Sequence, residues 1–149
     1  MTRFSAAAVL ACLASAALAD GDAAKGEKAF NKCKSCHQIV SDAGDTIVKG
    51  GRTGPNLFAI TGRSAGTVEG FRYGDDLVAA GEVGLTWTEA QFVSYLEDPR
   101  GFLKSYLDDS SAKSKMSFRL KKGGADVYAY LSQFGTTPAG EEAQDGATD

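Results

Sequence analysis

Cys33-Lys34-Ser35-Cys36-His37 is the stretch on which the reading of this chain turns. It has the form C-x-x-C-H, the pattern of covalent c-type haem attachment. The two thiols become thioethers to the haem vinyl groups, and the next residue offers an imidazole to the iron. The rest of the chain narrows the match. His37 is the single histidine, Cys33 and Cys36 are the only cysteines besides Cys12, and Met116 is the only methionine besides Met1. An iron with histidine on one face and methionine on the other needs one of each.

The same five residues admit other readings. A thioredoxin-like dithiol sits near a βαβ pattern, and this chain shows little strand. Half of a zinc site needs two further Cys or His ligands, and nothing after Cys36 supplies them except His37. A lone methionine is most often a core residue. Met116, however, lies in Lys115-Met116-Ser117-Phe118, a basic stretch with no helical periodicity behind it, which suits a ligand carried on a loop.

Around the motif the chain is 149 residues long, the length of one domain, with 43% hydrophobic and 23% charged residues. Its 18 glycines predict much loop and a thin core, which a large flat porphyrin would fill. Residues 1–19 read as a signal peptide: Arg3 begins it, Phe4 to Ala16 is apolar or small, and Ala17-Leu18-Ala19 is an A-x-A cleavage pattern. An uncleaved anchor and a lipoprotein attached at Cys12 are the alternatives. The apolar run is short for a bilayer, and the residues after Cys12 stay apolar. Removing residues 1–19 takes away Arg3 and no acid, so the formal charge of −3 becomes −4. That balance argues against nonspecific nucleic-acid binding.

Along the mature chain, Asp22 is a cap for a first helix running to about Cys33, with Gly26, Phe30 and Cys33 on one face. Ser41 to Thr53 reads as a glycine-rich loop with an extended piece at Ile47-Val48. Thr53-Gly54-Pro55-Asn56-Leu57 is a turn, Ala65 to Tyr73 is irregular, and Gly74 to Ala80 is a short helix. Thr88 and Gln91 form a capping box, with Trp87 and Phe92 as its staple. That helix ends near Asp98, and Pro99 starts another to about Tyr106. Leu107 to Lys115 is a surface loop leading into Met116. Val127, Tyr130, Leu131 and Phe134 mark a final amphipathic helix. Residues 20–135 thus form the domain, and 136–149, rich in Gly, Ala and acids, read as a disordered tail.

Taken together, Cys33-to-His37, Thr53-Gly54-Pro55-Asn56-Leu57, Gly62-Arg63, Gly70-Phe71-Arg72-Tyr73, Trp87, Tyr95-Leu96-Glu97-Asp98-Pro99, Lys115-Met116-Ser117-Phe118 and Tyr130-Leu131 make the chain resemble class I cytochrome c of the bacterial cytochrome c2 and c550 type. The resemblance runs from Gly21 to Phe134. It implies an all-α fold wrapped around one haem c, with His37 and Met116 on the iron. It further implies a Pro55 carbonyl accepting from the His37 Nδ1–H. Arg63, Tyr73 and Trp87 would stand around a buried propionate. Ser114 would hold a hydroxyl position two residues before the ligand, Tyr95 would point its hydroxyl at the Met116 sulfur, and Phe118 would cover the haem edge. Gly26 would let the first helix cross the last, against Val127 and Tyr130.

The function this implies is a periplasmic, monomeric one-electron carrier, not an enzyme. It would run between a quinol-oxidising, bc1-type complex and a photosynthetic reaction centre, a cytochrome oxidase or a denitrification enzyme. The mature chain would have no integral membrane segment. Lys32, Lys34, Lys113, Lys115, Arg119, Lys121 and Lys122 are expected to ring the exposed haem edge, with the acids elsewhere, and to steer acidic partners. The rival reading is a haem enzyme or gas-binding protein, peroxidase-like, with a labile sixth ligand.

Overall fold

A computed structural model describes residues 21–135. The signal peptide read at 1–19, with Cys12, and the tail read at 136–149 lie outside the described residues. Within them are five α-helices and one small antiparallel hairpin: α1 (Ala23–Phe30), β1 (Ile39–Val40), β2 (Thr46–Val48), α2 (Asp75–Glu82), α3 (Glu89–Glu97), α4 (Pro99–Tyr106) and α5 (Gly124–Leu131). A 3-10 turn, Ser132–Phe134, follows α5. The expected helical fold is what forms.

The first and last helices make the frame. Asp22 caps α1, its carboxylate accepting from the amides of Ala24 and Lys25 at 2.9 and 3.2 Å. Its own amide donates to the Asp126 carboxylate at 2.8 Å, which ties the start of α1 to α5. At the crossing, a Cβ on Gly26 would run into the Asp126 carbonyl and the Tyr130 Cβ, so only glycine permits this approach. The atoms nearest the glycine at this crossing are those of the Asp126 backbone and the Tyr130 Cβ. Phe30 and Tyr130 meet one turn further on, ring centroids 5.4 Å apart. Phe30, Val127 and Leu131 are fully or almost fully buried, each such side chain contributing about 1.5–3 kcal/mol.

The regular helix of α1 ends at Phe30, three residues before the predicted end. The chain continues as turns, with the Cys33 amide donating to Phe30 at 2.8 Å and the His37 amide to Cys33 at 2.9 Å. This tighter path delivers both cysteines and the histidine at the end of α1.

The middle of the chain is held by caps and backbone pairing. Thr88 accepts from the Gln91 amide at 3.4 Å, and Trp87 and Phe92 meet edge to face. Asp98 ends α3 and caps α4, accepting from the Gly101 amide at 3.1 Å, with Pro99 in the first turn. α2 begins at Asp75 and runs two residues beyond the predicted end. The stretch around Arg63 is held by backbone pairing with residues 85–87. Gly62 and Ala65 donate to Trp87 and Leu85 at 2.9 and 2.8 Å, and Trp87 donates back to Arg63 at 2.9 Å. Thr61, buried beside this pairing, satisfies its hydroxyl on the Gly135 carbonyl at 3.3 Å.

Candidate haem-binding site

One cleft opens between these elements. Cys33, Cys36, His37 and Met116 all line it, with apolar walls that include Phe30, Leu96, Val127 and Leu131. The sequence separates His37 from Met116 by almost the whole domain, and the fold brings them to one space.

The histidine half is built from backbone. His37 Nδ1–H donates to the Pro55 carbonyl at 2.9 Å, as expected, which leaves Nε2 as the free ring nitrogen. Burial lowers the imidazole pKa, and the Pro55 carbonyl opposes that shift. Neutral imidazole, the form that binds iron, is therefore favoured. The Gly50–Gly54 strand of the loop lies flat on the motif. Gly51 and Gly54 donate to the carbonyls of Lys34 and Cys36, both at 2.8 Å. A Cβ on Gly50 or Gly51 would meet the His37 or Ser35 carbonyl, and one on Gly54 would meet the imidazole ring. Composition alone makes these glycines look like turn formers. Close approach is their main use, and the signal was their position next to Pro55. Asn56 completes the lock, bracketing Val40 by accepting its N–H at 2.9 Å and donating to its C=O at 2.7 Å.

The two thiols are free and differ in setting. Cys33 is partly buried, and desolvation with Cys36 nearby pushes its pKa up to about 11. Cys36 is exposed, and hydrogen bonds from the Thr53 and Ser35 hydroxyls hold its pKa below the ordinary thiol value. Thr53 is a contact that the sequence reading did not assign.

The methionine half is built from side chains. The Tyr95 hydroxyl is hydrogen-bonded to the Ser114 hydroxyl at 3.0 Å, where the resemblance had it aimed at the Met116 sulfur. Ser114 in turn accepts from the Met116 amide at 3.2 Å. The physical reason is reach: a serine oxygen between phenol and backbone satisfies both, and burial pushes the phenol pKa up, keeping it a neutral hydrogen-bonding group. The Asp76 carboxylate accepts from the Lys113 amide at 2.8 Å. Phe118 lines the cleft mouth and is 40% exposed.

At the third side, Trp87 and Tyr73 line the cleft. Trp87 packs edge to face on Tyr95, centroids 5.0 Å apart, and its carbonyl accepts from Tyr128 Oη at 3.0 Å. Tyr73 is pushed up to about 12, first by burial, while Arg63 pulls the other way through its charge. Arg63 is not among the residues that form the cleft wall.

The basic residues differ in how they stand to the cleft. Lys32, Lys113 and Lys115 reach the cleft, whereas Lys34, Lys121 and Lys122 do not line it. Arg119 is paired with Asp98 at 2.9 Å. Lys115 donates to the carbonyls of Arg72 and Tyr73 at 3.0 and 2.9 Å. Nor do the acids all lie elsewhere, since Asp76 sits against the methionine loop because a backbone amide there needs an acceptor.

The residues fit a covalent haem. Two unpaired thiols stand before an imidazole whose other nitrogen is occupied, a thioether faces the same space, and the walls are apolar. Among the described residues no buried side-chain polar atom lacks a partner. No group of three or more His, Cys, Asp or Glu suited to a metal ion occurs there either.

Comparison with known proteins agrees. No family model matches the chain. Cytochrome c-551 of Roseobacter denitrificans is 66% identical over 128 residues, covering 85% of this chain and 91% of the relative. Cytochrome c2 of Rhodobacter capsulatus is 54% identical over 127 residues, covering 85% and 93%. The solved structure of ferric cytochrome c-550 from Paracoccus versutus superposes with a TM-score of 0.74 at 50% identity, over 77% of this chain and 98% of that one. Identity of this order along nearly the full length of each relative means that the chain belongs to the class I c-type cytochromes, among the bacterial electron carriers of the cytochrome c2, c-550 and c-551 group, and that it carries one covalent haem c through Cys33 and Cys36.

Proposed function

We propose that the mature protein is a periplasmic carrier that takes single electrons from a quinol-oxidising, bc1-type membrane complex. It delivers them to a terminal acceptor, either a reaction centre, an oxidase or a denitrification enzyme. His37 and Met116 are its two axial ligands. The observation that carries this reading is that His37, the chain's single histidine, and Met116, the only methionine among the described residues, line the same apolar cleft. When bound, the haem supplies an iron that cycles between Fe(II) and Fe(III), and a methionine ligand raises its potential.

The chain's own residues do the rest. Pro55 fixes the imidazole tautomer, Asn56 and the glycine strand hold the motif still, and the apolar walls keep water from the site. Arg63, Tyr73 and Trp87 take the propionate end. Residues 1–19 direct export and are removed. No described helix is long and apolar enough to cross a membrane. Docking uses the cleft mouth, and Lys32, Lys113 and exposed Phe118 all line the cleft. Complexes of this kind are small and transient.

The visible spectrum of the purified holoprotein tests the ligand set. The ferric form should show the weak far-red band of sulfur-to-iron charge transfer, and the ferrous form should ignore carbon monoxide. Met116→Ala should abolish the band, admit carbon monoxide and lower the potential by on the order of 0.2 V, a fraction of the roughly 0.8 V that axial ligands span. Ready carbon monoxide binding by the unmutated protein would instead establish the peroxidase-like or gas-binding alternative.

A further inference from the structure

Trp87 stands just before Thr88, the cap of α3, and its backbone takes no part in that helix. Its N–H donates to the Arg63 carbonyl at 2.9 Å, and its carbonyl accepts from the Gly62 amide at 2.9 Å. The same carbonyl accepts a second time, from Tyr128 Oη at 3.0 Å, across 41 residues of chain. A carbonyl oxygen has two lone pairs, and here both are used. Tyr128 belongs to α5, half of the frame that α1 and α5 make. Its ring also packs on Phe92, centroids 5.4 Å apart, and Phe92 meets the Trp87 indole edge to face at 6.3 Å. The last helix thus reaches Trp87 twice, at the backbone through a hydroxyl and at the side chain through a ring. Burial first, then the charge of Glu89, raises the Tyr128 pKa, so the phenol stays a neutral donor. Trp87 and Phe92 line the cleft, whereas Tyr128 does not.

We propose that Tyr128 is a positioning residue for the propionate end of the haem. Its hydroxyl holds the Trp87 carbonyl, and with it the paired Gly62-Arg63 segment, so that the indole keeps one place against the haem and the potential of the iron is held with it. This rests on the reading that Arg63, Tyr73 and Trp87 take the propionate end. Two features support it. The bond is made to the backbone of a residue whose side chain is in the cleft wall, so what it fixes is the base from which the indole projects. The indole nitrogen itself has no hydrogen-bond partner among the described residues, which leaves its N–H available to the haem.

Trp87 is the only tryptophan in the chain, so its indole N–H gives a single proton resonance in the diamagnetic ferrous holoprotein. Exchange of that proton with deuterium tests the proposal, read against the slowest backbone amides of α5 in the same sample. Tyr128→Phe keeps the ring on Phe92 and removes only the hydroxyl. It should speed indole exchange roughly three- to tenfold beyond any change in those amides, as expected for the loss of one hydrogen bond. It should also lower the midpoint potential, because a propionate less well paired leaves more negative charge near the iron and favours Fe(III). Ser132→Ala is the control. Its hydroxyl donates to the Tyr128 carbonyl at 2.9 Å, so the variant loses a hydrogen bond at the same end of α5 without touching Trp87. Both readouts should stay where they are in the unmutated protein. If indole exchange in Tyr128→Phe rises only as far as the α5 amides, or the potential stays where Ser132→Ala leaves it, the hydroxyl serves stability alone and the proposal is overturned. An indole proton that exchanges in the unmutated protein as fast as in free tryptophan is a separate result, which removes the propionate reading of Trp87 and the role of Tyr128 with it.

Discussion

The two walls of the cleft are held by different means. On the histidine side, backbone lies on backbone: glycines 50, 51 and 54 press against the motif, and the ring is seated by a carbonyl. On the methionine side, a loop is hung from side chains, namely Asp76, Tyr95 with Ser114, and Lys115. Close-packed backbone has nowhere to move, so it yields only by unfolding. Side-chain tethers at an exposed rim each contribute about 1 kcal/mol and are replaceable by water. One wall is therefore a fixed seat and the other a latch, and a carrier whose covalent attachments sit on the fixed wall keeps its haem even if the latch opens.

The largest effect expected from this contrast is on the fixed wall. Gly54→Ala places a methyl on the imidazole ring, and relief requires moving the ring off Pro55 or moving the loop off the motif. The expected cost is about 3 kcal/mol of stability, the upper end for overpacking, read by denaturant unfolding of the holoprotein. A loss below roughly 1 kcal/mol would mean that this wall gives as easily as the other. A smaller effect belongs to the latch. Tyr95→Phe removes the phenol from Ser114 and should cost about 1 kcal/mol, with imidazole affinity of the ferric form rising severalfold. The same substitution leaving that affinity untouched would make Tyr95 a wall residue and nothing more. The smallest effect lies outside both walls. Lys32→Ala and Lys113→Ala should each lower the rate of electron transfer to an acidic membrane partner by a factor of about two to three at low salt, with the difference vanishing as ionic strength rises. A salt-independent rate would remove electrostatic docking at this mouth.

The two walls also differed in how far they could be read in advance. Cys33, Cys36 and His37 were legible because they stand close together along the chain; the Pro55 carbonyl was implied by the family resemblance, and its contact with His37 formed as expected. Helix caps at Asp22 and Thr88 were legible for the same reason, since each cap and its partner amide are two or three residues apart. The latch was not. Asp76 lies 37 residues from Lys113, and Lys115 lies 43 and 42 residues from its two carbonyl partners. A lysine in a basic run looks like one more surface charge, and its commitment to carbonyls has no signature in composition. The glycine strand falls between these cases: its residues were seen, but as loop formers, because only the folded path shows what their missing side chains would have struck.

By itself, then, the sequence determined the cofactor, its attachment and the identity of the two candidate ligands. Covalent and coordination chemistry depend on residue type, and this chain offers one histidine, one methionine outside its first residue and one pair of cysteines in attachment spacing. The tertiary structure alone decided how those groups are held: which lysines remain free for a partner, which one is spent as a strut, and that the Tyr95 hydroxyl reaches Ser114. Such choices depend on distances between segments far apart in the chain. Side chains that are interchangeable in type become different in role once packing sets what lies within hydrogen-bonding reach.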